Sequence, residues 1–158
     1  TGEDFALSSH PAWTGAGAAA AADGGVWGAY NTGSGQMLEM RMGRVDSTGP
    51  VGAWISFNVE LGAGFDLSMV EAGSMVGVTW GESFGEGRIG AHFIALKTVG
   101  PQILTPDVLI SPPVDRTSLS HAVWSAVAPH PQGFVVAWGG WNEDTHHGIY
   151  VKKIGCHL

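Results

Sequence analysis

Apolar positions along the 158-residue chain fall in short runs broken by glycine, proline and polar turn residues, and no 3.6-residue apolar stripe lasts three turns. The best-defined runs are Phe65–Glu71, Ser74–Glu82, Arg88–Leu96 and Gln102–Ser111. Turn signals stand between them at Ala72-Gly73, Gly85-Glu86-Gly87 and Thr98-Val99-Gly100-Pro101. A similar set closes the chain: Ser120–Ala128 and Phe134–Trp141, joined by His130-Pro131-Gln132-Gly133, then Gly148–Ile154 after the polar stretch Asn142–His147. This pattern predicts an all-β chain. One segment conflicts with it, the alanine run Ala18–Ala22, whose helix propensity a strand reading must absorb at the end of an inner strand and its turn.

The runs repeat. Trp-Gly occurs at Trp27-Gly28, Trp80-Gly81 and Trp138-Gly139, at spacings of 53 and 58. Ser9-His10-Pro11-Ala12-Trp13 matches Ser120-His121-Ala122-Val123-Trp124, each tryptophan standing 14 residues before its Trp-Gly. Trp27-Gly28-Ala29-Tyr30-Asn31 matches Trp138-Gly139-Gly140-Trp141-Asn142, with Trp80-Gly81-Glu82-Ser83-Phe84 as the divergent copy. The repeats cover residues 10–58, 59–111 and 120–158 of one domain. The last repeat ends after its third strand, whereas the opening run Gly2–Ser8 resembles the fourth strands Val51–Phe57 and Thr105–Ser111. Residues 2–8 are therefore expected to close the last repeat.

Trp-Gly, a polar turn, a short strand and then a fourth strand before Ser-His resemble β-propeller blade repeats found in bacterial secreted proteins and in propeller lectins. The resemblance spans nearly the whole chain and implies a β-propeller made of three four-stranded blades, with a β-sandwich as the alternative. Propellers typically need about four to eight blades to close. An open three-blade wedge exposes large apolar faces that soluble monomers rarely carry. The expectation is a two-fold homodimer giving a six-bladed ring, exchange of N-terminal strands between chains being one form of it.

Composition narrows the function. Lys+Arg 7 against Asp+Glu 14 gives a formal charge of -7, which disfavours the phosphate contacts of nucleic-acid binding. The 44% hydrophobic content argues against disorder, and no 18-residue apolar run exists for membrane insertion. The chain begins with Thr1 and lacks a signal-like leader, so a mature or trimmed product is expected. The lone Cys156 can form no internal disulfide and stands one place short of a prenylation box.

Several motifs have the form of chemical signatures. Gly81-Glu82-Ser83-Phe84-Gly85 has the G-x-S-x-G form, but a strand-like segment follows it where a nucleophile elbow needs a helix. Gly85-Glu86-Gly87-Arg88-Ile89-Gly90 matches G-x-G-x-x-G without a βαβ context. Glu143-Asp144-Thr145-His146-His147 gathers metal-ligand types in one turn, yet reads better as a solvated loop. Glu82 and Asp144 could in principle act as a glycosidase pair, although nothing in their spacing selects them.

His10 and His121 match at the start of innermost strands, at the channel rim in the propeller reading, where a metal ion could sit. Trp13 and Trp124 are expected to pack between blades, and Trp54 has no assigned role. Tyr30-Asn31, Ser83-Phe84 and Trp141-Asn142-Glu143 combine an aromatic ring with hydrogen-bonding groups, a combination that suits a sugar. The expected function is a secreted or extracellular, multivalent, lectin-like module binding carbohydrate through these residues. A structural or protein-interaction propeller segment is the first alternative, and a glycan-acting or metal-dependent enzyme the second. No catalytic residue is assigned, and no cofactor is expected beyond a metal ion at the channel.

Overall fold

The computed structural model of the chain describes residues 16–32, 37–60, 65–83, 88–105, 107–111, 114–115, 124–141 and 147–156. Among them all regular structure is antiparallel β, in three sheets, as the sequence pattern predicts. The first sheet is a meander of β1 (Ala16–Ala20), β2 (Val26–Thr32), β3 (Met37–Asp46) and β4 (Gly49–Glu60). The second contains β5 (Phe65–Ala72), β6 (Met75–Ser83) and β7 (Arg88–Lys97), with β8 (Val108–Leu109) and β9 (Val114–Asp115) both paired to β7. The third is β10 (Ser125–His130), β11 (Gly133–Trp141) and β12 (His147–Gly155). The proposed closing strand, residues 2–8, lies outside the described residues.

Turn chemistry fixes the strand ends. Gly73, at φ 61°, opens the two-residue turn between β5 and β6, a conformation that an L side chain resists. Pro131-Gln132 makes the equivalent turn between β10 and β11. The β1–β2 connection is longer, residues 21–25, closed by Ala21 N–H to the Gly25 carbonyl at 2.9 Å and Gly24 N–H to the Ala21 carbonyl at 3.0 Å. The alanine run therefore divides, Ala18–Ala20 in β1 and Ala21-Ala22 in the turn. Packing overrides helix propensity here because β1 lies against β5. A Cβ on Gly17 would come within 2.3 Å of Leu67 Cδ2 and 2.8 Å of its carbonyl oxygen.

The fourth run of the second sheet, read from sequence as one strand over Gln102–Ser111, is instead broken. Ile103 bridges Leu96, β8 pairs with Phe93 and His92, and β9 pairs with Ile89 and Arg88. Where the ladder slips, hydroxyl oxygens replace carbonyls: Thr105 Oγ1 accepts from Ala95 N–H at 2.9 Å and Ser111 Oγ from Ala91 N–H at 2.7 Å.

The second sheet lies between the other two. One core joins it to the first sheet through Trp27, Ala29, Met40, Met42, Val76, Val78, Trp80, Ile94 and Leu96. The other joins it to the third through Met75, Ala91, Phe93, Ala95, Phe134 and Val136. β1 and β10 both lie against β5. Gly17 adjoins Leu67 and, further along both strands, Ala22 N–H donates to Glu71, so β1 and β5 run the same way. Val127 N–H donates to Ser68 Oγ at 3.3 Å, and Ala72 shares a groove with Pro129 and His130, so β10 runs the same way too. The first hairpin turns thus gather at one end of the stack and the ends of β2, β6 and β11 at the other.

The Trp-Gly tryptophans do not occupy equivalent faces. Trp80 packs toward the first sheet, beside Phe57, and Trp138 toward the second; each points at the preceding sheet. Trp27 points at the following one. The cause is turn length, because the five residues 21–25 stand where the other two hairpins use two, and an odd offset moves a side chain to the opposite face.

Candidate functional site

Each Trp-Gly tryptophan nonetheless carries the same kind of partner, a flat group on the third-strand residue directly opposite. Arg44 Cζ lies 5.2 Å from the Trp27 ring, the Trp80 and His92 rings are stacked at 5.4 Å, and Trp138 and Tyr150 are stacked at 5.8 Å. Trp27 and Trp80 are 1% and 0% exposed, so both are core residues that hold a seam and offer no surface to a ligand.

The Trp27 seam ends in a charged cluster. Glu71 Oε2 accepts the Trp27 indole N–H at 2.7 Å while Oε1 accepts the Ala22 N–H at 3.2 Å. The Arg44 guanidinium stands 4.0 Å from Glu71 Oε2 and donates to Asp23 Oδ1. Its hydrogen bond, followed by that of the Gly25 N–H, holds the Asp23 carboxyl below the usual aspartate value. The arrangement ties the β1–β2 turn of the first sheet to β5 of the second.

On the same seam, beside Trp80, His92 Nδ1 lies 2.7 Å from Asp107 Oδ1, a hydrogen bond in which the carboxylate accepts. Thr79 Oγ1 donates to the His92 carbonyl at 2.6 Å. The imidazole is thereby fixed on three sides, by Trp80, by Asp107 and through its own backbone.

The sequence-derived site residues separate. Tyr30 and Asn31 are on β2, 6% and 0% exposed. Tyr30 faces away from the second sheet, its ring 5.7 Å from that of Trp54. Trp54 thus packs beside the Tyr30 ring, which is buried in this sheet. Asn31 lies on the Trp27 side of the strand, within the seam. Trp54, unassigned in the sequence, covers Gly43, where a Cβ would come within 2.6 Å of the indole.

Ser83 and Trp141 end β6 and β11, paired in the backbone with Ile89 and His147. Phe84, Asn142, Glu143, His10, His121, Trp13 and Asp144 lie outside the described residues. The G-x-S-x-G stretch leads into β7, a strand, and Gly90 of G-x-G-x-x-G lies within that strand, so neither motif has the helix its chemistry needs. Among the described residues no three His, Cys, Asp or Glu side chains converge to hold a metal ion.

Trp124, expected between blades, is 67% exposed. It stands at the head of a row on the third sheet: Trp124 opposite Gly139 opposite Ile149, then Ala126, Ala137 and Val151, then Ala128, Val135 and Lys153. Ile149 is 83% and Val151 63% exposed. The opposite face of the same sheet, with Phe134 and Val136, is buried against the second. The sequence holds the signal for this open face, since Ile149-Tyr150-Val151 places large side chains on both faces of a strand, the mark of a strand covered on both sides.

A groove of about 540 Å³ runs between the β5–β6 and β10–β11 turns, lined by Ala72, Gly73, Met75, His130, Gln132 and Cys156. Burial pushes the Cys156 thiol up, away from the reactive thiolate. Gln132 N–H donates to His130 Nδ1 at 3.2 Å, and the Gln132 carbonyl accepts from Cys156 N–H at 3.1 Å, contacts that close the turn.

Comparison with family models, with curated proteins and with solved structures returned no match for the chain.

Proposed function

We propose that the chain is half of a six-bladed β-propeller, closed by a second copy, and that the ring is a multivalent carbohydrate-binding module. The observation that carries this reading is the open apolar face of the third sheet, headed by Trp124, Ile149 and Val151. The second sheet, of the same build, is covered on both faces. A two-fold pair lays the third sheet of each chain on the first sheet of the other and covers both ends of the stack together. The parallel course of β1, β5 and β10 at the centre supports a rotational arrangement, whereas a β-sandwich would lay two sheets face to face.

The ligand class rests on the sequence at the ends of β6 and β11, which share one end of the stack: Ser83 and Trp141 end these strands, and Phe84 and Asn142-Glu143 follow them in the chain. An aromatic ring offers a stacking face to a sugar, and Ser, Asn and Glu exchange hydrogen bonds with its hydroxyls. The burial of Tyr30 and Asn31 favours the second and third sheets as the ligand-bearing ones. Repetition of weak sites around a ring raises avidity without any single tight site.

The test is a glycan array probed with the native chain and with Trp141→Ala. Binding by the native chain that Trp141→Ala abolishes supports the carbohydrate reading. No bound glycan turns the reading to a protein-interaction propeller, which the burial of Tyr30 and Asn31 favours.

A further inference from the structure

We infer that two copies of the chain meet inner strand to inner strand, β10 of each on β1 of the other, with Trp124 as the anchor of both contacts. This rests on the two-chain ring proposed above and fixes which residues of the two open faces touch.

The seams within one chain carry the inference. β1 and β10 cover opposite faces of the second sheet, each beside β5. A Cβ on Gly17 would come within 2.8 Å of the Leu67 carbonyl oxygen, and Val127 N–H donates to Ser68 Oγ at 3.3 Å. One line therefore crosses the three inner strands, from Gly17 through Leu67 and Ser68 to Val127. At each crossing one strand presents a small residue, Gly17 to Leu67 and Ser68 to Val127, and side chain meets backbone. Sheets stacked face to face ordinarily stand about 10 Å apart, so the inner strands of this stack approach more closely than that.

Both ends of the line are open. On β10 and just before it the outward residues are Trp124, Ala126 and Ala128, all exposed. On β1 they are Ala16, Ala18 and Ala20, again all exposed. Ala126 and Ala128 flank Val127 as Ala16 and Ala18 flank Gly17. Extending the line from one chain to the next sets Ala126 against the Ala16–Ala18 stretch of the copy. Two alanine faces permit the close crossing seen twice within the chain, where two leucine faces would hold the strands apart.

Trp124 then falls at the head of β1 of the copy, in the row that Ala16 forms with Tyr30. At 67% exposure it has the most surface to bury of any residue on these two strand faces, and an aromatic anchor of this kind carries a large share of an interface's affinity. Among the six outward side chains only the Trp124 indole N–H can hydrogen-bond, so the surface suits an apolar sheet and not a sugar. A second copy brings the matching face at both ends at once, and one contact geometry closes both seams.

The experiment pairs Ala126→Cys with Ala16→Cys, Ala18→Cys or Ala20→Cys in turn, each in the Cys156→Ser background, with the single-cysteine chains as controls. Each protein is oxidised, run on non-reducing gels and weighed by light scattering. A two-chain disulfide band that needs both cysteines, in one or more pairings, is the expected result. A two-chain band from a single-cysteine chain overturns the inference, because like faces then meet. A disulfide within one chain overturns it too, since the second sheet stands between β1 and β10 of the same chain. No band in any pairing, from a protein that weighs two chains, overturns the contact of β10 with β1 and leaves the two-chain assembly standing. A single-chain mass for the native protein overturns the ring and the contact together. Trp124→Ala gives a second readout: dimer Kd is expected to rise about tenfold or more, and an unchanged Kd overturns Trp124 as the anchor.

Discussion

The indole N–H of Trp27 on the first sheet donates to Glu71 Oε2 on the second at 2.7 Å, and the same carboxylate accepts the Ala22 N–H of the adjoining turn. One side chain thus satisfies a donor from the packed seam and a donor from the exposed turn, with its own surface 12% exposed beside Arg44. Glu71→Ala leaves the buried Trp27 indole N–H without an acceptor and is expected to cost about 1–3 kcal/mol. Glu71→Gln retains one acceptor and should cost less. Urea melts of the two variants check the order, and equal losses would show that the carboxylate does not hold the seam.

Gly77 on β6 carries the Phe134 ring directly over it, and a Cβ would come within 2.7 Å of two ring atoms. Phe134 is 0% exposed and its ring lies tilted against that of Phe93, with centroids 5.5 Å apart, so it has little room in which to retreat. Gly77→Ala is expected to cost about 1–3 kcal/mol by overpacking the seam between the second and third sheets. A melting temperature equal to that of the native chain would contradict this packing.

Strand positions were largely legible in the sequence, because Gly73 and the Pro131-Gln132 turn punctuate strands whose side chains alternate. The facing of the tryptophans was not. Trp27, Trp80 and Trp138 share a dipeptide, but residues 21–25 make a turn of odd length, and that reverses Trp27 relative to the others. Alternation also tells that Tyr30 and Asn31 face opposite ways without telling that both faces are covered. Trp54 over Tyr30, and the seam over Asn31, are contacts between strands that periodicity along one strand does not contain.

Asp46 closes the β3–β4 turn by accepting from Thr48 N–H at 2.7 Å and Thr48 Oγ1 at 2.6 Å, which holds its carboxyl below the ordinary 3.8. A carboxyl with a lowered folded-state pKa stabilises the fold fully above the unfolded-state value. That contribution is lost as pH falls through the lowered one. Asp46→Asn is therefore expected to melt below the native chain at neutral pH, the gap closing as pH falls through the lowered value. A gap that persists in acid would assign the effect to hydrogen bonding alone.

Val151 is 63% exposed at the middle of the open face, so Val151→Glu should change the stability of a single chain by no more than about 0.5 kcal/mol. In the proposed ring the same carboxylate would be taken from water against the partner's first sheet. The variant is expected to sediment as a single chain under conditions in which the native protein pairs. Unchanged sedimentation would place the self-association face elsewhere.

In the proposed assembly the three sheets of one chain are half of the ring. Multi-angle light scattering of the native chain at micromolar concentration measures this directly. The expected mass is twice the 16.4 kDa of one chain, and a mass of 16.4 kDa would contradict the account.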